Sequence, residues 1–236
     1  MKTVVLLYPT SCIYEIVILN YFLHFAGKEV LFVSPDGTPI TAMEGYSINV
    51  SGKLTDIAPD EIELAIVPGG NIKAIDNPIV WNCLKDIKSR GGILAAICAG
   101  VDVLDHAGIL DGVVSTHSSD LDVAVTDQVI TSRANGYVDF AIEVAKKMNL
   151  FQDEADLQET ISFWKDYRRM KYLRQSFSAL PVFFYIFCDL FFWHRKLFSD
   201  RLNDCLLADL KPFTGFDSCP NSLCSPLQNT FHSQLF

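Results

Sequence analysis

Two rhythms of apolar residues alternate along the first two-thirds of the chain. Short unbroken runs, Thr3–Tyr8, Leu64–Val67 and Ile93–Ile97, have the length and character of strands buried on both faces. Glu29–Val33 is a further strand that stops at the turn sequence Ser34-Pro-Asp-Gly37, and Val113–Thr116 and Val129–Ser132 add two more. Between them the spacing becomes helical. Ser11–Ala26 carries Ile13, Ile16, Val17, Tyr21 and Leu23 and stops at Gly27. Asp76–Ser89, ended by Gly91-Gly92, Val101–Ala107, Tyr137–Met148 and Glu154–Tyr167 are the other expected helices. Thr38–Val50 reads as a hairpin or an irregular excursion, and no internal repeat is visible. Strands alternating with helices indicate a mostly parallel sheet covered on both faces.

Composition divides the chain. Of its 236 residues half are hydrophobic, which excludes a fully disordered chain. The net charge of −9 argues against a nucleic-acid surface, where clustered cations must meet phosphates. The charge is uneven: residues 1–168 hold 12 Lys and Arg against 23 Asp and Glu, and 169–236 hold 7 against 5. All eight Glu lie in the first part, whereas the second has 11 of the 17 Phe and a single Gly, Gly215. Residues 1–168 therefore read as the domain and 169–236 as an atypical C-terminal extension.

Met1-Lys2 runs directly into the first strand, with no apolar leader and cleavage site, so a cytoplasmic protein with reduced cysteines is expected. The seven Cys show no metal-type spacing; the closest pair, Cys219 and Cys224, has no second pair near it.

The extension admits three readings. Its apolar run 177–193 is short for a membrane span and is broken by Pro181 and Asp189, so membrane contact is not favoured. An amphipathic or buried helix is the second reading. The favoured third is that the segment is an out-of-frame or unspliced sequence, since Phe, Leu, Ser, Tyr and Cys are largely encoded by U-starting codons and Glu is absent.

In a parallel sheet, ligands bind beyond the carboxyl ends of the strands. Three expected strand ends carry unusual residues: Pro68-Gly69-Gly70, Cys98-Ala99-Gly100 and Thr116-His117. Cys98 sits between a buried strand and a helix start, a tight turn that pushes a side chain outward. Backbone N–H groups there would stabilise a thiolate and lower its pKa; the competing reading is an inert core cysteine. The two glycines can expose N–H donors that, with the Ala99 N–H, would form an oxyanion hole beside Cys98, or they are an ordinary turn. Glu15 lies in the apolar stretch Cys12–Val17, where a carboxyl tends to stay protonated and can donate to a thiolate, or it lies on an exposed helix face. His117 could act as a base or orienting group near the thiol, or simply cap a loop. His24 and His106 read as structural, and Asp102 and Asp105 as a solvated helix face.

Together Val67-Pro-Gly-Gly-Asn71, Ala95-Ala-Ile-Cys-Ala-Gly100, Ser115-Thr-His117 and Ile130-Thr-Ser-Arg133 resemble the ThiJ/PfpI family of the class I glutamine amidotransferase-like superfamily, over about Thr3 to Leu150. The resemblance implies a flavodoxin-like three-layer α/β sandwich, a homodimer, and a site with Cys98 as nucleophile. Glu15 would be the acid bonded to Cys98, Gly70 and Ala99 the oxyanion-hole donors and His117 the nearby histidine. Ala99 stands where the protease-like branch has His, which points instead to the glyoxalase or deglycase branch, acting on small aldehydes such as methylglyoxal and needing no cofactor or metal. Val101 stands where close relatives often have Pro, and the stretch between His117 and Val129 is short. Two other readings stay open: an oxidative-stress sensor or chaperone using Cys98 oxidation, and an isocyanide-hydratase-like enzyme.

Overall fold

The apolar runs of the sequence become the centre of a seven-stranded sheet in a computed structural model that describes residues 1–118 and 120–168. The expectations placed on 169–236, the apolar run 177–193 included, lie outside the described residues. The strands are β1 (Lys2–Leu6), β2 (Val30–Ser34), β5 (Gly52–Lys53), β6 (Ile62–Val67), β7 (Ile93–Ile97), β8 (Val123–Thr126) and β9 (Val129–Ser132), in the order β5-β2-β1-β6-β7-β9-β8. All neighbours run parallel except β8, which pairs antiparallel with β9. A separate two-stranded hairpin joins β3 (Ile40–Thr41) to β4 (Ser47–Ile48), the first of the two forms expected for Thr38–Val50.

The sheet is covered on both sides because successive strand residues point to opposite faces. Val4, Leu6, Ala65, Val67, Leu94 and Ala96 pack on one face against Val80, Leu84 and Ile87 of α2 (Pro78–Ser89) and Val103 and Leu104 of α3 (Gly100–His106). Val5, Leu7, Leu64, Ile66, Ala95 and Ile97 pack on the other, against Leu19 and Leu23 of α1 (Val17–Phe25) and Phe140, Ala141 and Val144 of α4 (Tyr137–Lys147). Trp164, the last residue of α5 (Glu154–Trp164), joins this second layer through edge-on contacts with Tyr21 and Phe22. Asn77 caps α2 by accepting from the N–H groups of Ile79 and Val80. Asp76, just before it, accepts from the Trp81 indole N–H at 3.0 Å and meets His106, the last residue of α3, at 2.9 Å. Among the described residues no helix is long and apolar enough to cross a membrane.

Four elements differ from expectation, one of them the two-residue edge strand β5, which pairs parallel with β2 where the sequence predicts no strand. The first helix starts at Val17 and not at Ser11, because the preceding backbone is bonded outward: Cys12 N–H to Gly69 O at 2.9 Å, Tyr14 N–H to Glu44 at 2.8 Å. Val113–Thr116 is not a strand. Its polar groups are held instead by side chains, with Thr116 N–H donating to Thr131 Oγ1 and Val114 O accepting from Thr126 Oγ1. The strand lies further on, at β8, where Ala124 is buried and Val125 exposed, the alternation of a half-covered antiparallel edge.

Candidate active site

Three chain reversals meet at the carboxyl edge of β1, β6 and β7. The first is the nucleophile turn. Cys98 N–H donates to Ser132 O at 2.9 Å, one step beyond the β7–β9 ladder, and the chain then turns into α3. Cys98 takes φ +55°, a left-handed conformation that costs an L-residue roughly 1–2 kcal/mol and that the surrounding packing must hold. Gly100 makes the turn possible: a Cβ there would stand 2.2 Å from Val67 O. The thiol ends up half-buried.

The second reversal carries Glu15, on the loop between β1 and α1 and not in the first helical turn. It is only 1% exposed, and its Oε2 accepts from Gly69 N–H at 2.7 Å, while Oε1 has no hydrogen-bond partner. The third reversal is Pro68-Gly69-Gly70. A Cβ on Gly69 would lie 2.8 Å from Glu15 Oε2 and 2.9 Å from Cys98 Sγ, so this glycine is the common neighbour of thiol and carboxyl. Sequence reasoning singled out Gly70 and passed over Gly69. Gly70 itself is turned to φ +134° against Thr10 O, and Ala99 N–H interacts with the Cys98 sulfur.

Electrostatics sets the two groups against each other. Burial raises the Glu15 pKa, and the Gly69 N–H, the Cys98 thiol and the Tyr14 hydroxyl offset this in part. Burial, and then the Glu15 charge, push the Cys98 thiol up to about 11, with only the Ala99 N–H pulling it down. The expectation of a lowered thiol pKa is thus corrected: the turn supplies one backbone donor, and burial of the sulfur, followed by the charge of the carboxylate beside it, outweighs that donor. The two groups titrate as a pair, and Glu15 ceases to oppose the thiolate when it holds its own proton.

His117 lies in a turn after α3 rather than at a strand end. Its Nε2 is 3.2 Å from Asp102 Oδ1 and its Nδ1 3.9 Å from Asp105 Oδ2. The two aspartates expected on a solvated face therefore engage this ring, and Asp102 also acts on Cys98. His106 pairs with Asp76 and His24 stacks edge-on against Phe25, in keeping with structural roles.

Other residues of the site had gone unnamed in the sequence. Tyr8 is fully buried two residues beyond the end of β1 and donates to Pro68 O at 2.8 Å, bracing the glycine turn. Cys12 shares the electrostatic environment: burial, followed by the charges of Glu15 and Cys98, pushes its thiol up to about 12. Thr10, at φ +73°, accepts from Asn71 N–H and ties the first loop to the third. The signal for Tyr8 was its place at the end of a buried run; for Cys12 and Thr10 only their nearness to Glu15 pointed this way. Among the described residues no group of three or more His, Cys, Asp or Glu is arranged to hold a metal ion.

Comparison with known proteins bears on this arrangement. The chain is 27% identical over 150 residues to the glutathione-independent glyoxalase DJR-1.2 of Caenorhabditis elegans, covering 57% of this chain and 81% of that protein. It is 31% identical over 94 residues to the deglycase PfpI of Pyrococcus furiosus, covering 36% of this chain and about half, 53%, of the relative. Among solved structures, a DJ-1 superfamily protein of Agrobacterium tumefaciens superposes with a TM-score of 0.63 at 23% identity, covering 71% of this chain and all of that one. Drosophila melanogaster DJ-1beta superposes with a TM-score of 0.57 at 24% identity, over 69% of this chain and 97% of that one. The fold is thus shared with these structures, and the model of the DJ-1/PfpI family matches residues 1–147, so the chain belongs to the DJ-1/PfpI family.

Proposed function

We propose that the protein is a Cys98-dependent enzyme of the glyoxalase or deglycase kind, acting on small reactive aldehydes such as methylglyoxal and on their early adducts. The observation that carries this reading is the packing of a half-buried thiol and a buried carboxyl on the same glycine, Gly69, at the carboxyl ends of the central strands. The names of the glyoxalase and deglycase relatives support it.

In this reading the Cys98 thiolate attacks the aldehyde carbon. A carbon–sulfur bond forms, and the carbonyl electron pair moves to oxygen, where the N–H groups of Ala99 and Gly70 receive the charge. Protonation of that oxygen gives a hemithioacetal. Glu15 or His117 then takes the proton from this carbon and returns one to the adjacent carbonyl carbon, which leaves a thioester. Water cleaves the thioester, and the products are the 2-hydroxy acid and the free thiol. The sum is 2-oxoaldehyde plus water to 2-hydroxy acid: the aldehyde carbon is oxidised, the adjacent carbonyl carbon is reduced, and no external oxidant or cofactor is consumed. The homodimer belongs to the same proposal; the exposed Val17, Tyr21 and Phe25 along one face of α1 support an apolar contact of that sort.

The test is D-lactate formation from methylglyoxal by the purified chain and by Cys98→Ser. The expected result is turnover by the first and none by the second. Equal rates, or none from either, would remove the enzymatic reading.

A further inference from the structure

Thr10 is strained at a position that glycine would occupy freely. Its φ of +73° is left-handed, a region that β-branched residues avoid and glycine enters without cost. Its backbone N–H donates to Thr41 O at 2.8 Å, a bond that any residue but proline would make there. What the side chain adds is an acceptor: Thr10 Oγ1 takes the Asn71 N–H at 3.1 Å. The residue it holds in this way is Gly70. Both peptides that flank Gly70 are fixed from the first loop. Gly69 O accepts from Cys12 N–H at 2.9 Å, which fixes the peptide before it, and Thr10 Oγ1 fixes the peptide after it. Thr10 O closes on the α-carbon between them, where a Cβ would stand 2.2 Å away. In a trans peptide N–H and C=O point opposite ways, so the Gly70 N–H faces away from Cys12. It has no acceptor among the described residues. A donor held in place and left unpaired suits a developing negative oxygen, because nothing has to reorganise when the charge appears.

We propose that Thr10 is a positioning residue: through its hydroxyl oxygen it holds the Gly70 N–H ready for the oxygen of a carbonyl compound added to Cys98. The proposal rests on the reading of Cys98 as the nucleophile and of Gly70 as an oxyanion donor. Thr10 acts through the glycine turn and not on the sulfur, and its left-handed strain is the conformation in which the hydroxyl reaches Asn71.

The experiment reads the adduct without requiring turnover. The purified full chain is titrated with trifluoroacetaldehyde, an aldehyde with no adjacent carbonyl carbon, which can add to the thiol and go no further. A carbon–sulfur bond forms, the carbonyl electron pair moves to oxygen, the thiol proton follows it, and nothing is oxidised or reduced. The fluorine NMR signal that is absent from Cys98→Ser gives the dissociation constant of the adduct. That constant is expected to rise about tenfold in Thr10→Val, which keeps the branched shape without the acceptor, and in Thr10→Gly, which lacks the strain as well. In Thr10→Ser, which keeps the acceptor, it should stay within about twofold of the wild type. Iodoacetamide alkylates sulfur without charging an oxygen, so its rate at Cys98 should be similar in all these variants. Urea midpoints separate positioning from stability: Thr10→Gly, freed of strain, should unfold at higher urea than Thr10→Val while losing the adduct to the same extent. Adduct strength that follows the midpoints instead of the hydroxyl, an unchanged constant in Thr10→Val, or no Cys98 adduct in the wild type overturns the proposal. D-lactate formation from methylglyoxal, measured in parallel, keeps the two readings apart. A hydroxyl-dependent adduct without turnover keeps the role of Thr10 and removes the enzyme; turnover with an adduct indifferent to Thr10 does the reverse.

Discussion

At the scale of single residues, the site is a contest over where one negative charge resides. Burial disfavours ionisation of both Glu15 and Cys98; the Glu15 charge then opposes the thiolate, whereas the Cys98 thiol, as a hydrogen-bond partner, eases the ionisation of Glu15. The high-pH limb of Cys98 alkylation by iodoacetamide is therefore expected near pH 11 in the wild type and at lower pH in Glu15→Gln, whose amide carries no charge. An unchanged limb would show that the carboxylate does not act on the sulfur. The same raised thiol pKa has a sign for stability. The unfolded thiol ionises near its ordinary value and the folded one about two units higher, so this contribution is whole below about pH 9 and is lost as pH rises toward 11. Urea midpoints should fall less steeply between those pH values in Cys98→Ala than in the wild type. Gly69→Ala should act on folding and on the site together: its methyl meets the Cys98 and Glu15 side chains, an overpacking that costs about 1–3 kcal/mol in the urea midpoint, and alkylation of Cys98 changes severalfold. Cys98 and Glu15 stood out in the sequence because each interrupts an apolar run with a reactive group, and the fold brings both onto Gly69; His117 was expected at a strand end and lies in a turn. Gly69 was not legible, since nothing local tells which of two adjacent glycines faces the sulfur. Nor was the direction of the thiol pKa, which depends on how near a carboxylate from a distant loop is brought.

At the scale of elements, legibility followed length and burial. The runs that became β1, β6 and β7 have no polar interruption and cannot be placed at a surface, so sequence and structure agree on them to within a residue or two. The start of α1 was misplaced because residues 11–16 have helical apolar spacing, yet their N–H groups are bonded to Gly69, Tyr8 and Glu44. That tertiary competition leaves no trace in a periodicity. β8 was missed for a different reason: four residues covered on one face give too short an alternation to stand out. Capping at this scale is open to direct measurement. Asn77→Ala removes the acceptor for two N–H groups at the start of α2 and should cost about 1 kcal/mol, seen as a lower urea midpoint without loss of Cys98 reactivity.

At the scale of the molecule, the described residues form a sheet whose two faces are both sealed, and the site sits on the one edge where three loops leave it. The break in charge and in Glu content near residue 168 was legible from composition alone, and it leads to a prediction about the whole chain. A protein ending at Arg168 is expected to fold with the urea midpoint of the full chain and to keep its Cys98 reactivity; aggregation or loss of reactivity would assign the remaining residues to the fold. One feature of the first face gives this protein an optical gauge. Because Asp76 holds the Trp81 indole with one oxygen and the far end of α3 with the other, the emission of that tryptophan is wired to the helix whose near end carries the reactive turn. Occupancy at the turn that displaces α3 is then expected to change the Trp81 share of the native fluorescence, read as the difference from Trp81→Phe because Trp164 and Trp193 also emit.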